Sequence, residues 1–170
     1  MRAMIIAASA VLLAGCGGEQ APAQNQTDEA AALAPGQYQA QWKVASLRSV
    51  DKTPAATNLK PDSTGTTTAC VTADAVDPVL FAEDGDTCTV ANPYLRNGRL
   101  AMDLTCTRKG TAGEVRQSVS GTFTGNSIEA EVSTSSYLSG PGNYAMNRTF
   151  TAKRLGECPP AAAKPPEKKA

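Results

Sequence analysis

Five cysteines, sixteen carboxylates and no histidine bound the chemistry open to this chain. Without histidine the commonest general base, the usual zinc ligand and every Ser-His-Asp or Cys-His arrangement are lost. Carboxylate-pair hydrolysis remains conceivable, with Asp74, Asp77, Glu83, Asp84, Asp86 and Asp103 as candidates. The first five fall on a short helical segment and the loop after it, where acids ordinarily face water. Asp103 falls on a strand, opposite its apolar face. No catalytic residue is therefore expected, and the chain reads as non-enzymatic. Glu83-Asp84-Gly85-Asp86 invites a calcium reading, but it lacks the spaced acids and distal glutamate of an EF-hand loop, so a solvated acidic turn is expected. No metal site and no cofactor are expected.

Cys16 is the one residue whose surroundings specify a reaction. Met1-Arg2 is a positive n-region, Ala3 to Leu13 an apolar run of about eleven residues, too short to span a bilayer. Leu13-Ala14-Gly15-Cys16 then closes a lipoprotein signal. Small residues give the peptidase access, and Cys16 receives a thioether-linked diacylglycerol and, on its amine, an acyl group such as palmitate. An ordinary secretory signal with an incidental cysteine is the alternative. Gly17 is not the aspartate that holds lipoproteins at the inner membrane, so the expected address is the periplasmic face of the outer membrane.

The other four cysteines, Cys70, Cys88, Cys106 and Cys158, are even in number in an exported chain and read as two disulfides. Reduced thiols would suit a cytosolic protein, and zinc would call for Cys-x-x-Cys spacing or histidine. The 16 basic and 16 acidic residues balance, which argues against a nucleic-acid partner. Basic residues form small pairs at Arg108-Lys109 and Lys153-Arg154. Lys164, Lys168 and Lys169 near the C-terminus read as solubilising terminal charge, with attraction to anionic lipid or cell-wall polymer the alternative.

The elements that must position these residues follow from periodicity. Residues 1–15 are signal peptide, 16–34 a lipidated cysteine and a flexible Gly/Ala/Gln tether, 35–158 a single β domain, and 159–170 a disordered Pro/Ala/Lys tail. Within the domain, Tyr38, Ala40, Trp42 and Val44 alternate with polar residues. Strands are predicted at Thr66 to Val71, Thr87 to Tyr94, Arg99 to Thr107, Glu114 to Thr124, Ile128 to Tyr137 and Tyr144 to Arg154. Asn97-Gly98 is a hairpin signal, because both positions tolerate positive φ. Thr72 to Asp77 carries an N-cap threonine and alanines and predicts a short helix, ended or tilted by Pro78. The predicted fold is all-β: a curved antiparallel meander or open barrel of about seven strands with one short helix, stapled by two disulfides.

Register bears on the pairing. Val90 and Tyr94 share the face of Cys88, and Met102 and Leu104 that of Cys106. Setting Tyr94 opposite Leu100 and Val90 opposite Leu104 also sets Cys88 opposite Cys106, about 4.5–5.5 Å apart and within disulfide reach. Cys70 is then left with Cys158. A strict two-residue turn at Asn97-Gly98 shifts the register by one and favours Cys70 with Cys88 and Cys106 with Cys158. The hairpin pairing is preferred.

Taken together, Pro35-Gly36-Gln37-Tyr38, Cys70-Val71-Thr72 before an acidic segment, Cys88 and Cys106 around a hairpin, Gly121-Thr122-Phe123 and the closing Lys153 to Cys158 resemble the bacterial exported family catalogued as domain of unknown function 3617. Val71 and Ala73 depart conservatively from its pattern. The resemblance implies an envelope β-protein and brings no activity or catalytic residue. Two functions are then expected. One is a non-enzymatic binder of a small apolar or amphipathic ligand in the concave face of the sheet. The other is a structural or protein-interaction lipoprotein whose concave face its own side chains fill. In both, the membrane is a partner through the lipid at Cys16.

Overall fold

Seven strands form one antiparallel sheet in the computed structural model, which describes residues 32–160 except residue 73. They are β1 (Gly36–Ser49), β2 (Thr64–Val71), β3 (Asp86–Arg96), β4 (Arg99–Arg108), β5 (Gly113–Phe123), β6 (Ser127–Leu138) and β7 (Tyr144–Gly156). The alternation in the sequence becomes the two faces of the sheet. On β4, Leu100, Met102, Leu104 and Cys106 are buried while Ala101 and Asp103 are exposed; on β6, Ile128, Ala130 and Val132 are buried between exposed glutamates.

The spatial order is β2-β1-β7-β6-β5-β4-β3. Every pair of consecutive strands lies side by side except β2 and β3, which are the two edges, and β1 closes onto β7. Direction alternates along an antiparallel order, so strands at its first and seventh places run the same way. A tight hairpin cannot join two parallel strands; the chain must travel back the length of the sheet. Residues 72–85 make that return across the open side of a curled half-barrel.

This crossover contains the one short helical element among the described residues, and its place differs from the sequence reading. No helix forms over Thr72 to Asp77. Thr72 instead closes a turn with Ala75, and Val76 bridges Val71. The helical element is a 3₁₀ turn, Pro78–Leu80, with the Asp77 carboxylate accepting from the Val79 amide at 3.0 Å. Pro78 starts it rather than ending it, because proline at the first helical position loses an N–H that had no partner anyway.

Leu80 and Phe81 follow directly and are fully buried against the inner face, Phe81 meeting Phe150 edge-on at 5.3 Å. Together with Tyr38, Ala40, Leu100, Met102, Val119, Phe123, Ile128 and Ala152 they form one apolar cluster. Gly121 lets β5 and β6 bend closely together: a Cβ there would overlap the Glu129 carbonyl oxygen. Burial of such a cluster supplies the main driving force for folding.

The β3–β4 hairpin reconciles two constraints that conflict in the sequence. Asn97 (φ 54°) and Gly98 (φ 68°) make a two-residue turn, pairing Arg96 with Arg99 and Leu95 with Leu100. Between Ala91 and Tyr94 the register shifts, Asn92 and Pro93 being accommodated in a bulge. Beyond it Val90 pairs with Leu104 and Cys88 with Cys106, and the latter two are disulfide-bonded. Tyr94 is the exception to the expected register. It pairs with Ala101, not Leu100, and points outward. The second disulfide joins Cys70 to Cys158.

The two ends of the half-barrel differ. At the end where the chain enters and leaves, the Tyr38 hydroxyl donates to the Ala34 and Gly125 carbonyls (2.8 and 3.2 Å) and Arg154 Nε donates to the Pro35 carbonyl (2.7 Å). Leu33 is 3% exposed and belongs to the core, so the domain starts slightly before residue 35. Residues 1–31 and 161–170, on which the expected signal peptide, the lipidation at Cys16, most of the expected tether and most of the expected tail fall, lie outside the described residues.

Candidate functional site

The opposite end gathers the β1–β2 loop, the β4–β5 and β6–β7 turns and the last part of the crossover, and there the polar side chains concentrate. Arg108, the last residue of β4, pairs with Asp86, the first of β3: Nε lies 2.6 Å and Nη2 3.0 Å from its two carboxylate oxygens. This is the fork geometry that makes Arg–carboxylate pairs directional. Arg108 Nη1 donates to the Ala56 carbonyl at 2.6 Å, and Nη2 lies 3.2 Å from Glu83. Glu83 in turn accepts from the Tyr144 hydroxyl at 2.6 Å and the Thr57 hydroxyl at 2.7 Å. One guanidinium thus ties the crossover, β3, β4 and the β1–β2 loop together.

Burial and charge act together on these groups. Donating hydrogen bonds to Asp86 holds the Arg108 guanidinium above its usual range, against the opposing effect of burial. Burial, reinforced by the neighbouring Glu83 charge, pushes the Tyr144 phenol well above its ordinary value, so it stays a donor through the physiological range. Between the β1–β2 loop and Asp84 lies a cleft of about 480 Å³ lined by Ala55, Ala56, Leu59, Glu83 and Arg108.

A second polar group lies deeper, on the inner face. Arg148 of β7 is 1% exposed, donates through Nη2 to the Phe81 carbonyl at 2.6 Å and lies over the Phe150 ring at 5.0 Å. Burial pushes its guanidinium downward, while Glu83, Tyr144 and Asp86 act in the other direction. Gln117 of β5 and Thr134 of β6 are each 2% exposed and directly opposite one another. Gln117 Nε2 and Oε1, Thr134 Oγ1 and Arg148 Nε have no hydrogen-bond partner among the described residues.

Of the carboxylates considered from the sequence, the structure brings Glu83 and Asp86 together around Arg108 and separates the others. Asp77 caps the 3₁₀ turn, Asp74 and Asp84 are exposed, and Asp103 accepts from Asn92 on the outer face at 3.1 Å. The expectation that the acids after the helical segment face water fails for Glu83 and Asp86, whose side chains are 4% and 0% exposed. The crossover must dive into the half-barrel to cover its open side, and it carries them in. Arg108 already supplies the positive charge that a cation would bring to this acidic turn. Among the disulfide cysteines the pairs are Cys70–Cys158 and Cys88–Cys106; Cys16 lies outside the described residues.

The inner polar residues escaped the sequence reading, although a signal was present. Gln117 is in phase with Val115 and Val119, Thr134 with Val132, and Arg148 with Met146 and Phe150. A polar residue in the inward register of an apolar strand is one the fold must bury. Strand by strand, the same alternation that identifies the core therefore also identifies its polar exceptions.

The family described as "Protein of unknown function (DUF3617)" matches residues 33–158. No curated protein and no solved structure matches the chain.

Proposed function

For a chain that belongs to the DUF3617 family and inherits no assigned activity from it, we propose a non-enzymatic, lipid-anchored envelope protein that works through its outer surface. One observation carries this reading: Leu80 and Phe81 fill the concave face, packed with the inward side chains of the strands. A half-barrel stoppered by its own crossover leaves an apolar ligand nothing to displace but the core. Cys16 carries the anchor in this reading, and the two disulfides suit an oxidising compartment such as the periplasm. The chain enters at the end holding Cys70–Cys158, opposite the Arg108 end. That end is where contact with another envelope component is expected.

The cleft beside Glu83 and Arg108 favours a second reading, in which a small amphipathic ligand sits there, its apolar part against Ala55, Ala56 and Leu59. Native mass spectrometry of the anchored protein, with photo-crosslinkers at Asn58 and Asp84, separates the two. Cross-links to one envelope component and no stoichiometric apolar ligand are expected. A lipid that co-purifies one to one and is lost on Leu80→Trp would overturn the filled-core reading. The anchor is tested apart from it: labelled palmitate should enter the wild type and not Cys16→Ala, and equal labelling would refute it. Likewise, reproducible hydrolase turnover abolished by Asp103→Asn or Asp84→Asn would overturn the non-enzymatic assignment.

A further inference from the structure

Buried polar groups in folded proteins are nearly always hydrogen-bonded, and each one left alone costs about 1–3 kcal/mol. Four unpartnered atoms on three neighbouring inward positions are therefore unlike ordinary packing. Gln117 and Thr134 face each other across β5 and β6, close enough for their side chains to bond, yet neither the amide nor the hydroxyl takes the other. Thr134 pairs with Met146, and Arg148 is the next residue inward along β7 on the same face, so its side chain is the diagonal neighbour of Thr134.

The chemistry of these atoms is mostly that of donors: a guanidinium N–H, an amide NH₂ and a hydroxyl, with one amide oxygen beside them. Arg148 is also the inner cation without a contacting anion. Arg108 engages both Glu83 and Asp86, whereas Arg148 touches a carbonyl and a ring, and no carboxylate lies within ion-pair distance of it among the described residues. A buried guanidinium without an anion carries an uncompensated charge, and a carboxylate that pairs with it relieves that cost.

We propose that Arg148, Gln117 and Thr134 form an internal receptor for a single carboxylate group. The site goes beyond the filled-core reading, since it uses polar side chains set among the apolar ones, Arg148 over Phe150 and Gln117 in register between Val115 and Val119. With the concave face filled by Leu80 and Phe81, the carboxylate is that of a free small acid and not the head of an acyl chain.

Thermal unfolding of the disulfide-bonded protein in sodium acetate, sodium octanoate and sodium chloride at equal ionic strength tests this. A saturable rise in midpoint with acetate is expected; a rise with octanoate alone would overturn the small-acid site, and chloride should match buffer. Thr134→Val and Gln117→Met keep the shape of the site and remove unpartnered atoms. Each should unfold at a higher temperature than the wild type in chloride and bind the carboxylate roughly tenfold or more weakly. Arg148→Met should bind none; should it fail to fold, the two milder variants decide alone. Equal midpoints in all three salts, equal carboxylate response in the variants, or a crystal structure in acetate with only water on these atoms would overturn the proposal.

Discussion

The two ends of the half-barrel are held by different forces. Where the chain enters and leaves, a covalent bond between Cys70 and Cys158, the Tyr38 hydroxyl and backbone hydrogen bonds such as Ala34 N–H to the Gly125 carbonyl fasten the sheet. Titration in the acid range leaves these largely untouched. At the opposite end Arg108, Glu83, Asp86 and Tyr144 do the fastening beside the Cys88–Cys106 bond two residues along the hairpin, and nearly every noncovalent link is charged or charge-assisted. Covalent closure suits the end at which the chain enters and leaves the domain, because it resists fraying whatever the surroundings. An end held by desolvated charges is specific in geometry but depends on all its members being present. Solution conditions and single substitutions should therefore separate the two ends.

Opening the covalent end should have the largest effect. The Cys70–Cys158 bond spans 88 residues of sequence, for which the chain-entropy estimate is about 4–5 kcal/mol. The Cys88–Cys106 bond spans 18, for which it is about 3 kcal/mol. Urea unfolding of Cys70→Ser/Cys158→Ser beside Cys88→Ser/Cys106→Ser should show that order, and the reverse order would break the comparison.

Breaking the charged end comes next. Arg108→Met leaves two buried carboxylates without their cation and should destabilise by about 3–5 kcal/mol. Adding Glu83→Gln and Asp86→Asn to that variant should restore much of the loss. If the triple variant is no more stable than Arg108→Met, then packing and not charge holds this end.

How far the sequence reveals these ends depends on whether neighbours or distant residues set them. The strands are legible because burial on one face imposes a period of two on each, whatever its neighbours. The crossover is not. Thr72 to Asp77 has helix-forming residues, but the chain there must span from one edge strand to the other while covering the core, and Val76 is drawn into a bridge with Val71. Tertiary demand overrides local propensity. Glu83 and Asp86 read as solvated for the same reason: nothing nearby in the sequence announces Arg108 as their partner. The Asn97-Gly98 turn is legible, whereas the bulge that reconciles it with the cysteine register is visible only as Asn92-Pro93, a pair suited to an edge strand that must twist.

That bulge lies between the two ends and gives a smaller, conformational effect. Asn92 adopts φ 51°, in the left-handed region that β-branched residues enter at a cost of about 1–2 kcal/mol. Asn92→Val should lose that much, together with the bond to Asp103, while Asn92→Gly keeps the backbone and should unfold near the wild-type midpoint. Equal losses in the two would assign the effect to the Asn92–Asp103 bond and leave the backbone without a role.

The smallest effect belongs to Asp51, and it tests the pH contrast between the ends. Its carboxylate lies in the β1–β2 loop and accepts from the amides of Gly142 (2.7 Å), Asn143 (2.8 Å) and Thr53 (3.0 Å) and from the Thr53 hydroxyl (2.6 Å). These bonds, the Thr53 hydroxyl foremost, hold its carboxyl well below the usual carboxylate range. A group whose folded value is depressed contributes fully above its unfolded value, about 3.9, and loses the contribution as pH falls through the folded one. Asp51→Asn keeps one acceptor oxygen and loses the charge, so at pH 7 it should unfold slightly below the wild type. Under acid the wild type loses the same charge, so the gap between the two midpoints should narrow steadily below about pH 4. A gap that stays constant from pH 7 to pH 2 would show that Asp51 fastens the loop to the β6–β7 turn by shape alone, and this part of the charged end would then be as indifferent to pH as the covalent one.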